Sequence, residues 1–230
     1  HKLDGCITEI SAWNVVLTAA QVEELYNDGK ALNALEHSSY TSSAGNLEGY
    51  WRNNGLAAWT NLKDPGTNNG AVSAGLTETL LIPAGVDGSR DTQGFLMNRQ
   101  KDTNSLNLPF VETSAEGNYA SVPGFNFHAT TMSVSFWIKT PSYDTDNTIL
   151  DKYETTGNLR AFRLHLSSNN EFTLQLSSNG TNYESQVTTD AALANNTWYH
   201  IALTFDGSTK KLYVNGKHIY FSEGNVTTTA

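Results

Sequence analysis

Between residues 118 and 221, short segments rich in aromatic and β-branched residues follow one another closely, at 119–122, 132–138, 148–150, 162–166, 172–176, 198–205 and 211–214. No other feature constrains the fold as strongly, because runs this short, bounded by Asn, Gly and Ser, suit strands rather than helices. Several alternate with period two. In the second, Val134, Phe136 and Ile138 fall on one face and Ser133, Ser135, Trp137 and Lys139 on the other. Asn215-Gly216, between Leu212-Tyr213-Val214 and His218-Ile219-Tyr220, predicts a tight hairpin, since a type I′ turn needs two residues that tolerate positive φ. Composition agrees. Asn, Thr, Ser and Gly supply more than a third of the 230 residues and charged residues only 16%, which suits Thr-rich strands joined by Asn/Gly turns better than a helical bundle. The expected class is all-β: an antiparallel two-sheet sandwich with a buried core and one exposed concave surface.

The N-terminal part differs. Residues 3–13 read as a strand, but an imperfect one, with Cys6, Thr8, Ile10 and Ala12 set against Ile7, Glu9 and Ser11. Behind it lies the clearest helix signal. Thr18 and Gln21 have capping-box spacing, Leu17 is placed as a hydrophobic staple, Val22, Leu25 and Tyr26 share a face, and Gly29 stands where a C-cap is expected after a helix over 18–28. Residues 30–115 read as long surface connections carrying a few edge strands, with short apolar pieces at 47–51, 80–83 and 95–97.

Charge and cysteine usage exclude some functions. The formal net charge is −9, from 14 basic and 23 acidic residues, and no Lys/Arg cluster is available to displace counterions from a nucleic acid or an anionic membrane. No apolar run approaches the roughly 18 residues that span a bilayer, and no signal-peptide pattern opens the chain. The single cysteine, Cys6, forbids an intrachain disulfide and is expected to be a buried, inert thiol. The chain opens at His1 rather than Met, which fits a piece of something longer.

Three motifs in order carry a family likeness: Thr131-Met-Ser-Val-Ser-Phe-Trp-Ile-Lys139, Asn196-Thr-Trp-Tyr-His-Ile-Ala-Leu-Thr-Phe-Asp-Gly207 and Lys211-Leu-Tyr-Val-Asn-Gly216. Together they resemble laminin-G-like, concanavalin A-like jelly rolls. The resemblance implies a two-sheet sandwich whose relatives mostly bind glycans or proteins, or build extracellular and virion architecture. Such domains usually end in a strand with an Asp-Gly-x-Ile-Asp-Glu core followed by a short helix. Here Leu3-Asp4-Gly5-Cys6-Ile7-Thr8-Glu9-Ile10 and the 17–26 segment look like that ending placed at the front. Either the chain is a window cut from tandem repeats, or it is a permuted domain whose N-terminal strand closes its own sandwich. The expected division is therefore a terminal strand and helix at 1–30, a connecting segment at 31–114 and the main sandwich body at 115–230. The segments around Leu47-Glu-Gly-Tyr-Trp-Arg52, Ala58-Trp-Thr-Asn-Leu-Lys63 and 81–97 also resemble stretches beside jelly rolls in structural proteins of marine tailed phages. That likeness implies a virion location, with a secreted bacterial module as the alternative.

The superfamily contains glucanases, which hold two carboxylates across the scissile bond. Their usual Glu-x-Asp-x-x-Glu strand is absent: no Glu has an Asp two positions later, and Glu9 is followed there by Ser11. No Gly-x-Ser-x-Gly elbow or His-x-x-x-His pair occurs, and His165 and His200 are expected to be structural. No enzyme is expected. Calcium is the one cofactor carried forward, at Asp144, Asp146 and Asp151, where clustered carboxylates between two strands form either a hard-cation site or a solvated turn. A second site near the terminal strand is weakened by Thr8, where relatives often carry Asp. For glycans, Tyr143 and Tyr153 flank the acidic loop and Asn182 and Tyr183 form a nearby turn, supplying ring faces and hydrogen-bonding groups. The expected partners are other virion or cell-surface proteins in an oligomeric assembly, and host surface glycans.

Overall fold

A computed structural model describes residues 5–52, 60–72, 77–79, 105–108, 120–122, 131–141, 147–154, 159–167, 171–177, 181, 183–187, 193–219 and 227–229. The strands are β1 (Gly5–Trp13), β2 (Leu47–Trp51), β3 (Ala71–Val72), β4 (Thr77–Thr79), β5 (Ser105–Leu108), β6 (Ala120–Ser121), β7 (Met132–Lys139), β8 (Asn147–Glu154), β9 (Leu159–Leu166), β10 (Phe172–Leu176), β11 (Tyr183–Val187), β12 (Tyr199–Phe205), β13 (Lys210–Val214), β14 (Lys217–Ile219) and β15 (Thr227–Thr229). The helices are α1 (Ala19–Tyr26) and the single turn α2 (Ser38–Ser42). No described helix is long and apolar enough to cross a membrane. The class is all-β, with two main antiparallel sheets and one short helix of note, as a jelly-roll sandwich requires.

The chain divides into two compact units, one made of residues 5–139 and 198–218, the other of 1–4, 140–197 and 219–230. The second holds the five-stranded sheet in the order β15-β11-β10-β9-β8. Leu164, Leu166, Phe172 and Leu174 are buried there, in an antiparallel register that pairs Phe172 with Leu166 and Leu174 with Leu164. Ser167 and Ser177 cap β9 and β10 by donating their backbone N–H groups to Glu171 and Ala161 carbonyls.

The first unit holds the eight-stranded sheet, in the order β14-β13-β12-β7-β1-β5-β4, with β2 also on β1. The N-terminal strand is thus central. β7 runs along one edge of it, from Cys6 opposite Lys139 to Trp13 opposite Ser133, while β5 pairs with residues 5–7 and β2 with residues 10–13. Both faces of β1 are covered: every residue from Cys6 to Trp13 is buried.

The imperfect alternation of β1 has a local cause. Glu9 adopts φ 55°, and Thr8 stands opposite Trp137 while Ser11 stands opposite Ser135. Three steps on β1 therefore match two on β7, which is a β-bulge. The extra residue reverses the facing pattern. Cys6 and Thr8 before the bulge share a face with Ser11 and Trp13 after it, and the partners on β7 are Lys139, Trp137, Ser135 and Ser133. Ile7 and Ala12 lie on the opposite face, with Ile138 and Val134.

The helix α1 forms as its capping signal predicts. Thr18 Oγ1 accepts from Gln21 N at 3.3 Å and Gln21 Oε1 accepts from Thr18 N at 2.9 Å, closing the capping box. Leu17, Val22 and Leu25 are buried in one cluster with Trp13, Ala34, Leu47, Tyr50, Ala202 and Tyr213, so the helix lies on the Ser11/Trp13 face of the sheet. Tyr26 is half-buried and stacks on Trp137 with ring centroids 5.9 Å apart. The expected stop at Gly29 is displaced. Asn27 is the C-cap at φ 46°, Asp28 follows at φ 52° and Gly29 at φ 81°, because Asn and Asp tolerate the left-handed region well enough to end the helix two residues early.

The Asn215-Gly216 turn forms with φ 50° and 75°, and Asn215 also accepts from His200 N through Oδ1 at 2.9 Å. Gly216 has a second reason to be glycine. A Cβ there would meet Glu23 Cα and Tyr26 Cδ1 at 3.3 Å, since the hairpin tip packs on α1.

Candidate functional site

Polar side chains on the Ser11/Trp13 face of the eight-stranded sheet are buried rather than presented to solvent. Pairing puts Ser11, Ser135 and Ala202 side by side, with Trp137 next to His200 and Ser133 next to Thr204. The segment after β1 seals one end of the row: Leu17 N donates to Ser133 Oγ at 2.9 Å, which donates to Val15 O at 2.8 Å. α1 and residues 31–37 lie over the rest. His37, fully buried, accepts from Ser39 N at Nδ1 and therefore presents Nε2–H to Gln21 O at 2.9 Å, locking this cover to α1.

Within this face stands a closed polar group. Trp13 Nε1 donates to Ser11 Oγ at 2.9 Å, and Ser11 Oγ bonds Ser135 Oγ at 2.9 Å. Glu9, 4% exposed, accepts from Arg52 Nε at 2.8 Å through Oε1 and from the Tyr50 hydroxyl through Oε2. The Arg52 guanidinium also lies over the Tyr50 ring, 5.6 Å from its centroid. A buried carboxylate is costly unless paired and hydrogen-bonded, and here both oxygens are engaged. β2 brings these partners because Asn61 anchors its far edge: Asn61 Oδ1 accepts from Tyr50 N at 3.0 Å and Asn61 Nδ2 donates to Thr67 O at 3.2 Å.

A cavity of ≈ 10 Å³ remains, lined in part by Glu9, Ser11, Tyr50, Ser135, Trp137 and His200. It admits nothing larger than a water molecule. His200 is fully buried and desolvation lowers its pKa to about 3, so the imidazole is neutral. Among the described residues, the chemistry of this arrangement is charge pairing and hydrogen-bond satisfaction within the covered face.

The residues singled out from the sequence lie elsewhere. Asp151 is on β8, cross-strand from Arg163, whose Nη2 is 3.8 Å from Asp151 Oδ2. Asp144 and Asp146 fall outside the described residues, as do Tyr143 and Asn182. Tyr153 occupies β8 opposite Arg160 and Tyr183 occupies β11 opposite Thr229, so Tyr183 begins a strand rather than ending a turn. Among the described residues no group of three or more His, Cys, Asp or Glu is placed to hold a metal. At the second calcium position Glu9 is held by Arg52 and Tyr50. The only sequence signal for Tyr50 and Arg52 as partners of Glu9 is a Tyr and an Arg two apart, with Arg52 immediately after the end of β2.

The two antiparallel sheets and the short helix define an all-β module of the jelly-roll type. The chain belongs to the concanavalin A-like lectin/glucanases superfamily, whose Laminin_G_3 family matches residues 114–230. No curated protein and no solved structure matches the chain. The superfamily holds lectins and glucanases alike, so membership is that of a carbohydrate-binding or structural module.

Proposed function

We propose that this chain is a non-catalytic structural or adhesion module of a larger extracellular assembly, in the first instance a virion, as part of a phage tail fibre or capsid-associated protein. The observation that carries the reading is the covered polar face around Glu9. Glycoside hydrolysis needs two carboxylates about 5–10 Å apart around an open cleft, whereas the cavity wall here includes one carboxylate, Glu9, already paired with Arg52 and Tyr50. Arg52 and Tyr50 already hold both oxygens of that carboxylate. The laminin-G-like motifs at 131–139, 196–207 and 211–216, and the likeness to phage structural segments, support the virion location. Partners are then neighbouring assembly proteins, with residues 1–30, 31–114 and 115–230 as the units of sequence to compare with any parent chain. Mass spectrometry of purified particles from the native source tests this: peptides of this chain should co-purify with particle proteins, and recovery only as a free secreted monomer would sink it.

A second reading is a lectin module. It is favoured by the superfamily and by Tyr153 and Tyr183, which both stand on strands of the five-stranded sheet. Tyr143, Tyr153, Asn182 and Tyr183 would contact the sugar, and calcium at Asp144, Asp146 and Asp151 would fix the loop. The full chain on a glycan array, with and without chelator, separates the readings. Binding abolished by Tyr143→Ala and Tyr183→Ala selects the lectin, and silence across the array selects the structural module.

A further inference from the structure

We infer that the cavity beneath α1 is a specific binding site for one water molecule, which joins His200 Nδ1 to the Ser11–Ser135 hydroxyl pair and the Glu9 carboxylate. Four observations converge on it. His200 Nδ1 is buried with no hydrogen-bond partner in the protein, and His200 forms part of the cavity wall. An unmet buried polar atom costs about 1–3 kcal/mol, so native interiors satisfy such atoms with protein groups or with ordered water. The cavity volume of ≈ 10 Å³ is that of a single water site, and the wall supplies three polar partners, Ser135, His200 and Glu9, within the two to four such a water requires.

The donors and acceptors also balance. Ser11 Oγ accepts the Trp13 indole N–H, which leaves the Ser11 hydroxyl hydrogen for Ser135 Oγ and the Ser135 hydroxyl hydrogen for the water oxygen. The water then has two hydrogens to give. One suits His200 Nδ1, the acceptor of the neutral ring that burial enforces when its hydrogen sits on Nε2, and the other suits Glu9, whose oxygens each accept one bond, from Arg52 and from Tyr50, and retain a lone pair. Cavities that stay dry are lined by apolar groups alone, whereas this wall sets Glu9, Ser11, Ser135 and His200 beside Leu25, Leu32 and Ala34. The water links β1, β7 and β12 at the point where the bulge at Glu9 interrupts the ladder.

The test is a crystal structure of the full chain at a resolution that shows ordered solvent, paired with water–protein cross-relaxation NMR on the same protein. The expected result is one density peak within hydrogen-bond distance of His200 Nδ1 and of at least one of Ser11, Ser135 and Glu9, together with a cross-peak between long-lived water and the His200 ring protons. In Ser135→Ala, which keeps the fold but removes a partner, that cross-peak should weaken at least severalfold while the backbone amide spectrum stays that of the parent. A dry cavity without the cross-peak overturns the inference. So does a peak that does not contact Nδ1, or a cross-peak undiminished in Ser135→Ala.

Discussion

His200 carries the largest electrostatic consequence of any single residue described. Burial lowers its pKa from 6.5 to about 3, so the folded protein binds fewer protons than the unfolded chain below pH 6.5. Stability is therefore unaffected by this group above pH 6.5 and declines as pH falls from 6.5 toward 3, by up to about 1.4 kcal/mol per pH unit. Urea midpoints measured between pH 6.5 and 4.5 should fall in the parent and fall less in His200→Phe; equal slopes would contradict the burial argument. Gly49 is a second sensitive position. A Cβ there would overlap the Trp51 indole ring, a rigid buried group that cannot move aside. Gly49→Ala should cost roughly 1–3 kcal/mol, read as a lowered denaturation midpoint with an unchanged m-value. At this scale the sequence was partly readable. Cys6 is buried as its neighbours suggested, but nothing local marked Glu9, whose burial depends on Arg52, 43 positions away.

Among elements, β1 is decisive because it pairs with three others. Residues 5–13 lie between β7 on one edge and β5 and β2 on the other, so removing them would leave two rows of unpaired backbone groups and uncover the cluster around Trp13 and Tyr50. Deletion of residues 1–29 should abolish cooperative melting of the remaining chain, followed by circular dichroism, and a peptide spanning 1–30 added in trans should restore part of it. A deletion variant that melts like the parent would show that this pairing contributes nothing. Loss of the α1 capping box is milder: Thr18→Ala removes the bond to Gln21 N and should cost about 1 kcal/mol. Both the helix and the Asn215-Gly216 hairpin were legible because their signals are complete within a few residues. The helix end was misplaced by two residues, since Asn27, Asp28 and Gly29 all tolerate positive φ and only packing selects among them.

Over the whole molecule, a formal charge of −9 sets the long-range field, and it repels polyanions. Retention on immobilised DNA at physiological salt should be no greater than that of an unrelated acidic protein. If Asp144, Asp146 and Asp151 hold calcium, millimolar calcium should raise the melting temperature and Asp146→Asn should reduce that rise; an unchanged melting temperature in calcium removes the metal.

What the sequence determined by itself is whatever short-range physics decides: the period-two strands such as β7, the capping box at Thr18, the type I′ turn at Asn215-Gly216 and the family motifs built from them. Tertiary structure alone decided where those pieces go. β1 became a central strand, and the bulge at Glu9 turned Ser11 and Trp13 to the face that α1 covers. Arg52 and Tyr50 came to a carboxylate about forty positions away. The reason is that a strand's pattern specifies which side of it is apolar, whereas its neighbours depend on backbone hydrogen bonds and burial shared with segments more than a hundred residues distant, such as Ser11 with Ser135. Those interactions leave no period in the sequence to read.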